Sequence, residues 1–184
     1  RLAHFDVSEN TWTHGGYSAG TASTYQKNAI IDSSRNLFIL ADHNDRIAAM
    51  PLADFTSATH LEDYFVTQTG AGPDFGLRYS VGGMAYDPVS TNIIFWDGDS
   101  DVHILDPDTW EWSKVTATGS LPTMSNTTRG TFGRFAYVES LDKFALINST
   151  TDNVYLLDLR PTVTTFDLVS EITGTVPFTA AVGF

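Results

Sequence analysis

The sequence predicts an all-β chain assembled from repeated four-stranded units, and three observations carry that reading. First, three segments align with one another: "AIIDSSRNLFILADHNDRIAAMPL" from Ala29, "MAYDPVSTNIIFWDGDSDVHILDP" from Met84 and "FAYVESLDKFALINSTTDNVYLLDL" from Phe135. Matching positions fall at Asp42, Asp97 and Asn148, 55 and 51 residues apart. Second, "DVSENTW" and "DPDTWEW" each set an Asp six residues ahead of a Trp: Asp6 before Trp12, and Asp106 before Trp112. Asp158 keeps the same phase, with Phe166 in roughly the Trp role. Third, no segment sustains a 3.6-residue apolar period, whereas short apolar runs alternate with polar turns. Repeats of about 40–50 residues with four short strands each are the signature of β-propeller blades.

The strands then follow in order. A lone strand, Leu2–Phe5, comes first, within a partial blade over residues 1–7. A blade over 11–52 takes strands near Thr11–His14, Asn28–Asp32, Leu37–Ala41 and Arg46–Pro51. A second, 62–107, opens at Glu62–Gln68, and a third, 111–159, opens at Glu111–Thr116. Thr164–Ser170 and Val176–Val182 belong to a partial blade over 164–184. "PLADFTSATHLEDY", Pro51 to Tyr64, is the one place for a short helical turn. Two readings of the ends stay open. They unite into a composite fourth blade, or the chain is an arc of a larger ring. The arc is favoured, because the terminal blade lacks a recognisable C strand and Arg1 begins mid-blade. An open arc exposes blade faces, so remaining blades of a parent propeller or neighbouring subunits are expected as partners.

The "YDPVSTN" turn, the outer strand "VHILDPDTWEWSKV" with its trailing Trp, and the R-x-x-x-x-R-F-A-Y-V run from Arg129 to Val138 resemble kelch or galactose-oxidase-type propeller repeats. The resemblance covers most of the chain. That family usually carries a Gly-Gly pair after its third strand. Here the pairs are Asp42-His43, Asp97-Gly98 and Asn148-Ser149, and the double glycine Gly82-Gly83 precedes a different strand. The copper oxidases of that fold use a Cys cross-linked to Tyr, and this chain has no Cys.

Composition narrows the class. The 184 residues suffice for one domain with a core, and 42% are hydrophobic. The net charge of −12 argues against nucleic acid and anionic membranes, which attract basic patches. Lacking Cys, the chain has no disulfides, thiolate chemistry or Cys-based zinc sites. No run of 18 apolar residues suggests a membrane span. A surface rich in Thr, Ser, Asn and Asp and poor in Lys suits an extracellular location. Sequons at Asn126 and Asn148 are candidate glycosylation sites. The chain opens on Arg1 with no leader, which reads as a mature or trimmed product.

Candidate sites are of two kinds. "WDGDSD" alternates Asp97, Asp99 and Asp101, the opening of many calcium loops. An EF-hand would also need Gly at its sixth position and Glu at its twelfth, where this chain has Val102 and Asp108. A turn built from turn-forming residues is therefore the first reading, and a calcium site the second. The other candidates sit on the long A–B loops, roughly His14–Lys27, Thr69–Val81 and Ala117–Phe132. These carry Tyr17, Tyr25, Phe75, Arg78, Tyr79, Arg129 and Phe132. Aromatic platforms with Arg suit a glycan or polar ligand, although the first reading of Arg78 and Arg129 is that they brace neighbouring loops against the acidic turns. Trp12, Trp110 and Trp112 read as packing residues, and the five His as surface or turn residues. No catalytic motif is recognised. The functional expectation is an extracellular non-catalytic binding or assembly module. A fragment of a polysaccharide-active propeller enzyme and a structural subunit of a filament or coat are the alternatives.

Overall fold

A computed structural model describes residues 3–14, 27–42, 45–55, 57, 60–73, 82–122, 131, 133–148, 153–160 and 165–168. The protein is all-β. Its first two strands, β1 (Ala3–Asp6) and β2 (Thr11–His14), form a hairpin that pairs with no other strand among the described residues. Sheet one runs β3 (Lys27–Asp32), β4 (Leu37–Asp42), β5 (Arg46–Pro51) and β6 (Phe65–Val66), neighbours in sequence being neighbours in space. Sheet two takes β7 (Thr69–Gly70), β8 (Gly83–Asp87), β9 (Asn92–Trp96), β10 (Asp101–Asp106) and β11 (Glu111–Thr116), in the order β7-β11-β10-β9-β8. Sheet three repeats it with β12 (Thr118–Gly119), β13 (Phe135–Val138), β14 (Lys143–Ile147), β15 (Val154–Asp158) and β16 (Thr165–Leu168). None of the sheets closes on itself. Short 3-10 turns lie at Leu52–Asp54 and Leu61–Tyr64, inside the expected stretch, and at Glu139–Leu141, which was not expected.

The turns explain the pairing. Five hairpins close through four residues, the last in the left-handed region; four of them end on Asn10 (φ 51°), Asn36 (54°), Thr91 (58°) and Trp110 (56°), and the fifth on Asp142 (49°). That conformation costs a non-glycine residue about 1–2 kcal/mol. An Asp at the strand end helps offset it by accepting a bond from the amide two residues on. Asp6 takes Ser8 N at 2.8 Å, Asp32 takes Ser34 N at 3.0 Å, Asp87 takes Val89 N at 3.1 Å and Asp106 takes Asp108 N at 2.8 Å.

The same turns correct the expected strand grouping. Thr11–His14 pairs with β1 and not with the strand at 28–32. The strand near 65–66 completes sheet one, Glu111–Thr116 completes sheet two, and Thr165–Leu168 completes sheet three. The main strands of the sheets therefore span 27–66, 83–116 and 135–168, not 11–52, 62–107 and 111–159. The reason is loop length. A four-residue turn after Asp6 or Asp106 forces the next strand back antiparallel, whereas the long connections leave room to cross to another sheet.

The sheets pack face to face, and their edge strands touch in the succession β3, β8, β13. Ile39, Ala41 and Ile47 of sheet one bury against Met84, Ile93, Phe95, Leu105 and Trp112 of sheet two. The opposite face of sheet two, with Ala85, Ile94, Trp96 and Val102, buries against Phe135, Phe144, Leu146 and Leu157 of sheet three. Glycines permit two close approaches, of β8 to β13 at Gly83 and of the residue before β8 to β9 at Gly82. A Cβ on Gly83 would lie 2.3 Å from Phe135 Cβ, and one on Gly82 1.9 Å from the Trp96 carbonyl oxygen. Asn28, 5% exposed, donates from Nδ2 to Gly82 O across 3.2 Å. Part of the other face of sheet one is covered by its own chain, where Leu61 packs with Leu40 and Ala48, flanked by Tyr64 and Phe65, while Ile31 on the β3 edge is 45% exposed.

Two arginines clip the sheets together. Arg35, in the β3–β4 turn, grips Asp108 of sheet two through Nε and Nη2 (2.8 and 2.6 Å). Its Nη1 reaches Asp32 and the Thr91 carbonyl, each at 2.9 Å. Arg160, just past β15, holds both carboxylate oxygens of Asp87 in sheet two at 2.8 and 2.7 Å, and bonds Asp142 at 3.0 Å. Burial pushes the Asp32 and Asp87 carboxyls up. Bonds from Ser34 and Arg35 to the first, and from Arg160, Ser90 and Val89 to the second, outweigh it, so both lie below the usual carboxylate value.

Candidate functional site

A groove of about 290 Å³ opens between sheets one and two, lined by Asp45, Gln68, Thr69, Gly70, Gly72, Pro73 and Trp112. Its wall is set by the pairing of β7 along the outer strand β11, Gly70 beside Trp112. Gly70 has φ +83°, and a Cβ there would strike the Trp112 carbonyl oxygen at 2.1 Å, so only glycine fits. Gly72 lies over the indole, with an added Cβ 3.0 Å from Cδ1. Trp112 is 3% exposed, and its Nε1 donates to Gln68 Oε1 at 2.6 Å. Gln68 Nε2 donates in turn to the carbonyl of Asp45 at 3.0 Å, tying the β4–β5 turn to sheet two.

Beneath the indole, His103 stands edge-on to Trp112 with centroids 6.3 Å apart. Its Nδ1 lies 3.0 Å from the Ala71 carbonyl and its Nε2 3.2 Å from Asp97 Oδ2. Both neighbours are acceptors, so the ring donates to both only in its doubly protonated form. His103 is buried at 5% exposure, which corrects its expected placement on the surface. Its polar letter occupies a core phase because a ring N–H finds an acceptor there. The rim of the groove offers a carboxylate, an amide, a hydroxyl and glycine backbone. These are the groups that satisfy the hydroxyls of a polar, uncharged ligand.

The acidic stretch is spent on its own turn. Asp97 Oδ1 accepts from Asp99 N at 3.0 Å, and Asp99 Oδ1 from Ser100 N at 2.8 Å. The Asp99 carbonyl takes Trp96 Nε1 at 2.7 Å. Asp101 points to the neighbouring strand, where it binds Lys114 Nζ at 2.6 Å and Thr116 Oγ1 at 2.9 Å; the Lys114 bond holds its carboxyl below the usual value. No three acidic or histidine groups converge as a cation would require, among the described residues. Asn148 is 2% exposed, and its Oδ1 accepts from Thr131 Oγ1 at 2.8 Å. Tyr17, Tyr25, Phe75, Arg78, Tyr79, Arg129, Phe132 and Asn126 lie outside the described residues.

The groove's residues carried a signal that the repeat alignment passed over. Thr-Gly-x-x-Pro occurs at Thr69–Pro73 and again at Thr118–Pro122, and both Thr-Gly pairs run parallel along an outer strand. The same motif recurs in sequence at Thr173–Pro177.

No family model matches the chain, and no curated protein matches it. Among solved structures, a structural genomics protein of unknown function from Bacteroides thetaiotaomicron VPI-5482 is similar at 11% identity and a TM-score of 0.40. The match covers 82% of this chain and 44% of that one, so the chain spans less than half the length of that structure's chain.

Proposed function

We propose that the chain is an arc of a β-propeller acting as a non-catalytic extracellular binding and assembly module, with the groove between sheets one and two as its polar-ligand site. The observation that carries this reading is the succession of edge strands β3, β8 and β13 with a lined groove between two clipped sheets. Meander sheets stacked by their faces around successive edge strands fit a propeller arc. The carboxylates favour a scaffold over acid–base catalysis. Asp32, Asp87, Asp101, Asp108, Asp142 and Asp158 all lie below their ordinary value, engaged with Arg, Lys or backbone donors. A glycosidase acid needs the opposite shift. A neutral oligosaccharide fits the mixed amide, hydroxyl and backbone rim.

The test is an NMR titration of the isotope-labelled chain with a panel of neutral oligosaccharides. The expected result is a shift confined to the Gln68–Gly72 and Trp112 signals, weakened in Gln68→Ala. Shifts elsewhere, or none at saturating sugar, would overturn the groove assignment.

A further inference from the structure

Among the described residues, two apolar surfaces lack the cover that their repeat equivalents have, and they are complementary halves of one kind of interface. The first is the face of sheet three turned away from sheet two. Register places Ala136, Ala145, Ile147, Val154 and Leu156 on it. None of them is buried, and Ile147 is 42% exposed. By the internal alignment these positions match Ala85, Ile94, Trp96, Val102 and Ile104 of sheet two. There the first four are at most 3% exposed, because sheet three covers them.

The second is the hairpin β1–β2. It pairs Phe5 with Trp12 as β10–β11 pairs Leu105 with Trp112, around the same Asp-capped turn. In sheet two that pair is buried against sheet one, with Leu105 at 0% and Trp112 at 3%. In the hairpin the two rings touch each other, centroids 5.0 Å apart, while Phe5 is 38% and Trp12 64% exposed. A Leu/Trp-type hairpin face seats on the face of the sheet before it. The one such sheet face left open among the described residues is that of sheet three.

We propose that the open face of sheet three seats the Phe5–Trp12 hairpin of a second copy of this chain. This deepens the assembly half of the function proposed above and rests on the arc reading. A second copy is favoured over closure within one chain by the other end of the stack. To close a ring, the hairpin's own sheet must also pack on the outer face of sheet one. On that face Leu61, Tyr64 and Phe65 already occupy the ground over Leu40 and Ala48, and what stays open is the β3 edge, where Ile31 is 45% exposed. The interface joins unlike surfaces, so it propagates head to tail.

Sedimentation velocity over a concentration series tests this with the full chain and two variants at exposed positions, Trp12→Lys and Ile147→Lys. The expected result is that wild type forms multimers and each variant alone is a monomer. An equimolar mixture of the two variants then gives a heterodimer, since each retains the half the other lost. Circular dichroism and thermal melts of both variants must match wild type, so that loss of assembly is not loss of fold. A wild-type monomer whose Trp12 is shielded from iodide would overturn docking by a second copy and the arc reading with it, because the hairpin then closes on its own chain. A wild-type monomer with freely quenched Trp12 overturns docking of either kind. Multimers that survive both substitutions also overturn the proposal.

Discussion

Replacing Arg160 with Ala removes the clip between sheets two and three and strands the Asp87 carboxylate. That side chain is 2% exposed, whereas Arg160 is 26% exposed. Breaking a buried pair from one side costs about 3–5 kcal/mol. Two bonds to Asp87 survive, from Ser90 Oγ at 2.6 Å and Val89 N at 3.1 Å. With those bonds kept, and with water able to enter where the partly exposed guanidinium stood, the expected loss is roughly 2–3 kcal/mol. For a chain of this size that lowers the melting temperature by roughly 5–10 °C. Urea titrations followed by circular dichroism measure it, as a fall in midpoint at unchanged slope.

The pH dependence fixes the cause. In the wild type the Asp87 carboxyl lies below its ordinary value, so its contribution is present above the unfolded value of about 4 and is lost as pH falls through the folded one. Without Arg160, burial dominates and raises the carboxyl, which then burdens the fold at neutral pH and is relieved by acid. The gap between variant and wild type should therefore be wide at pH 7 and shrink below about pH 4. A gap under about 0.5 kcal/mol at pH 7, or one that does not change with pH, would falsify this account of the clip.

Three further outcomes follow from the packing. Gly83→Ala drives a methyl into Phe135 and should destabilise by about 1–3 kcal/mol or more, read from the urea midpoint; a neutral result would mean β8 and β13 can part. Trp112→Ala should cost about 3–5 kcal/mol while Trp12→Ala costs under about 1 kcal/mol in dilute solution, although both sit six residues after an Asp; equal costs would contradict their opposite burial. Millimolar calcium should leave the melting temperature unmoved while Asp101 stays with Lys114, and a rise of several degrees would assign the Asp97–Asp101 carboxylates to the cation.

The repeat was legible because it is written in turn chemistry. Asp6, Asp32, Asp87 and Asp106 each cap a turn, and the sequence shows them at strand ends. Sheet membership was not legible from the repeat alone. A cyclic pattern of four strands reads equally well from any starting strand, and only loop length decides which neighbours pair. Trp12 and Trp112 share a phase and differ in burial because burial depends on what lies across from a residue. The groove escaped because its walls are Gly70, Gly72 and Gln68, letters that announce a loop; their meaning comes from Trp112 being 2.6 Å from Gln68. The local bonds of the "DGDSD" turn, Asp97 to Asp99 N and Asp99 to Ser100 N, follow from its turn-forming letters.

The order of strands within each sheet bears on how the chain would yield to force. Every antiparallel neighbour is a neighbour in sequence, so a sheet can be pulled away without unthreading another, although losing sheet three bares the face of sheet two that it buries. The Arg160–Asp87 clip, spanning 73 residues, is what resists the start of that peeling at sheet three. Pulled at its ends in an optical trap, the chain should lengthen in discrete jumps. Sheet three, Phe135 to Leu168, would release about 110 Å of contour in one of them. Each sheet would then act as a separate extensible link, and a head-to-tail string of such chains as a shock absorber.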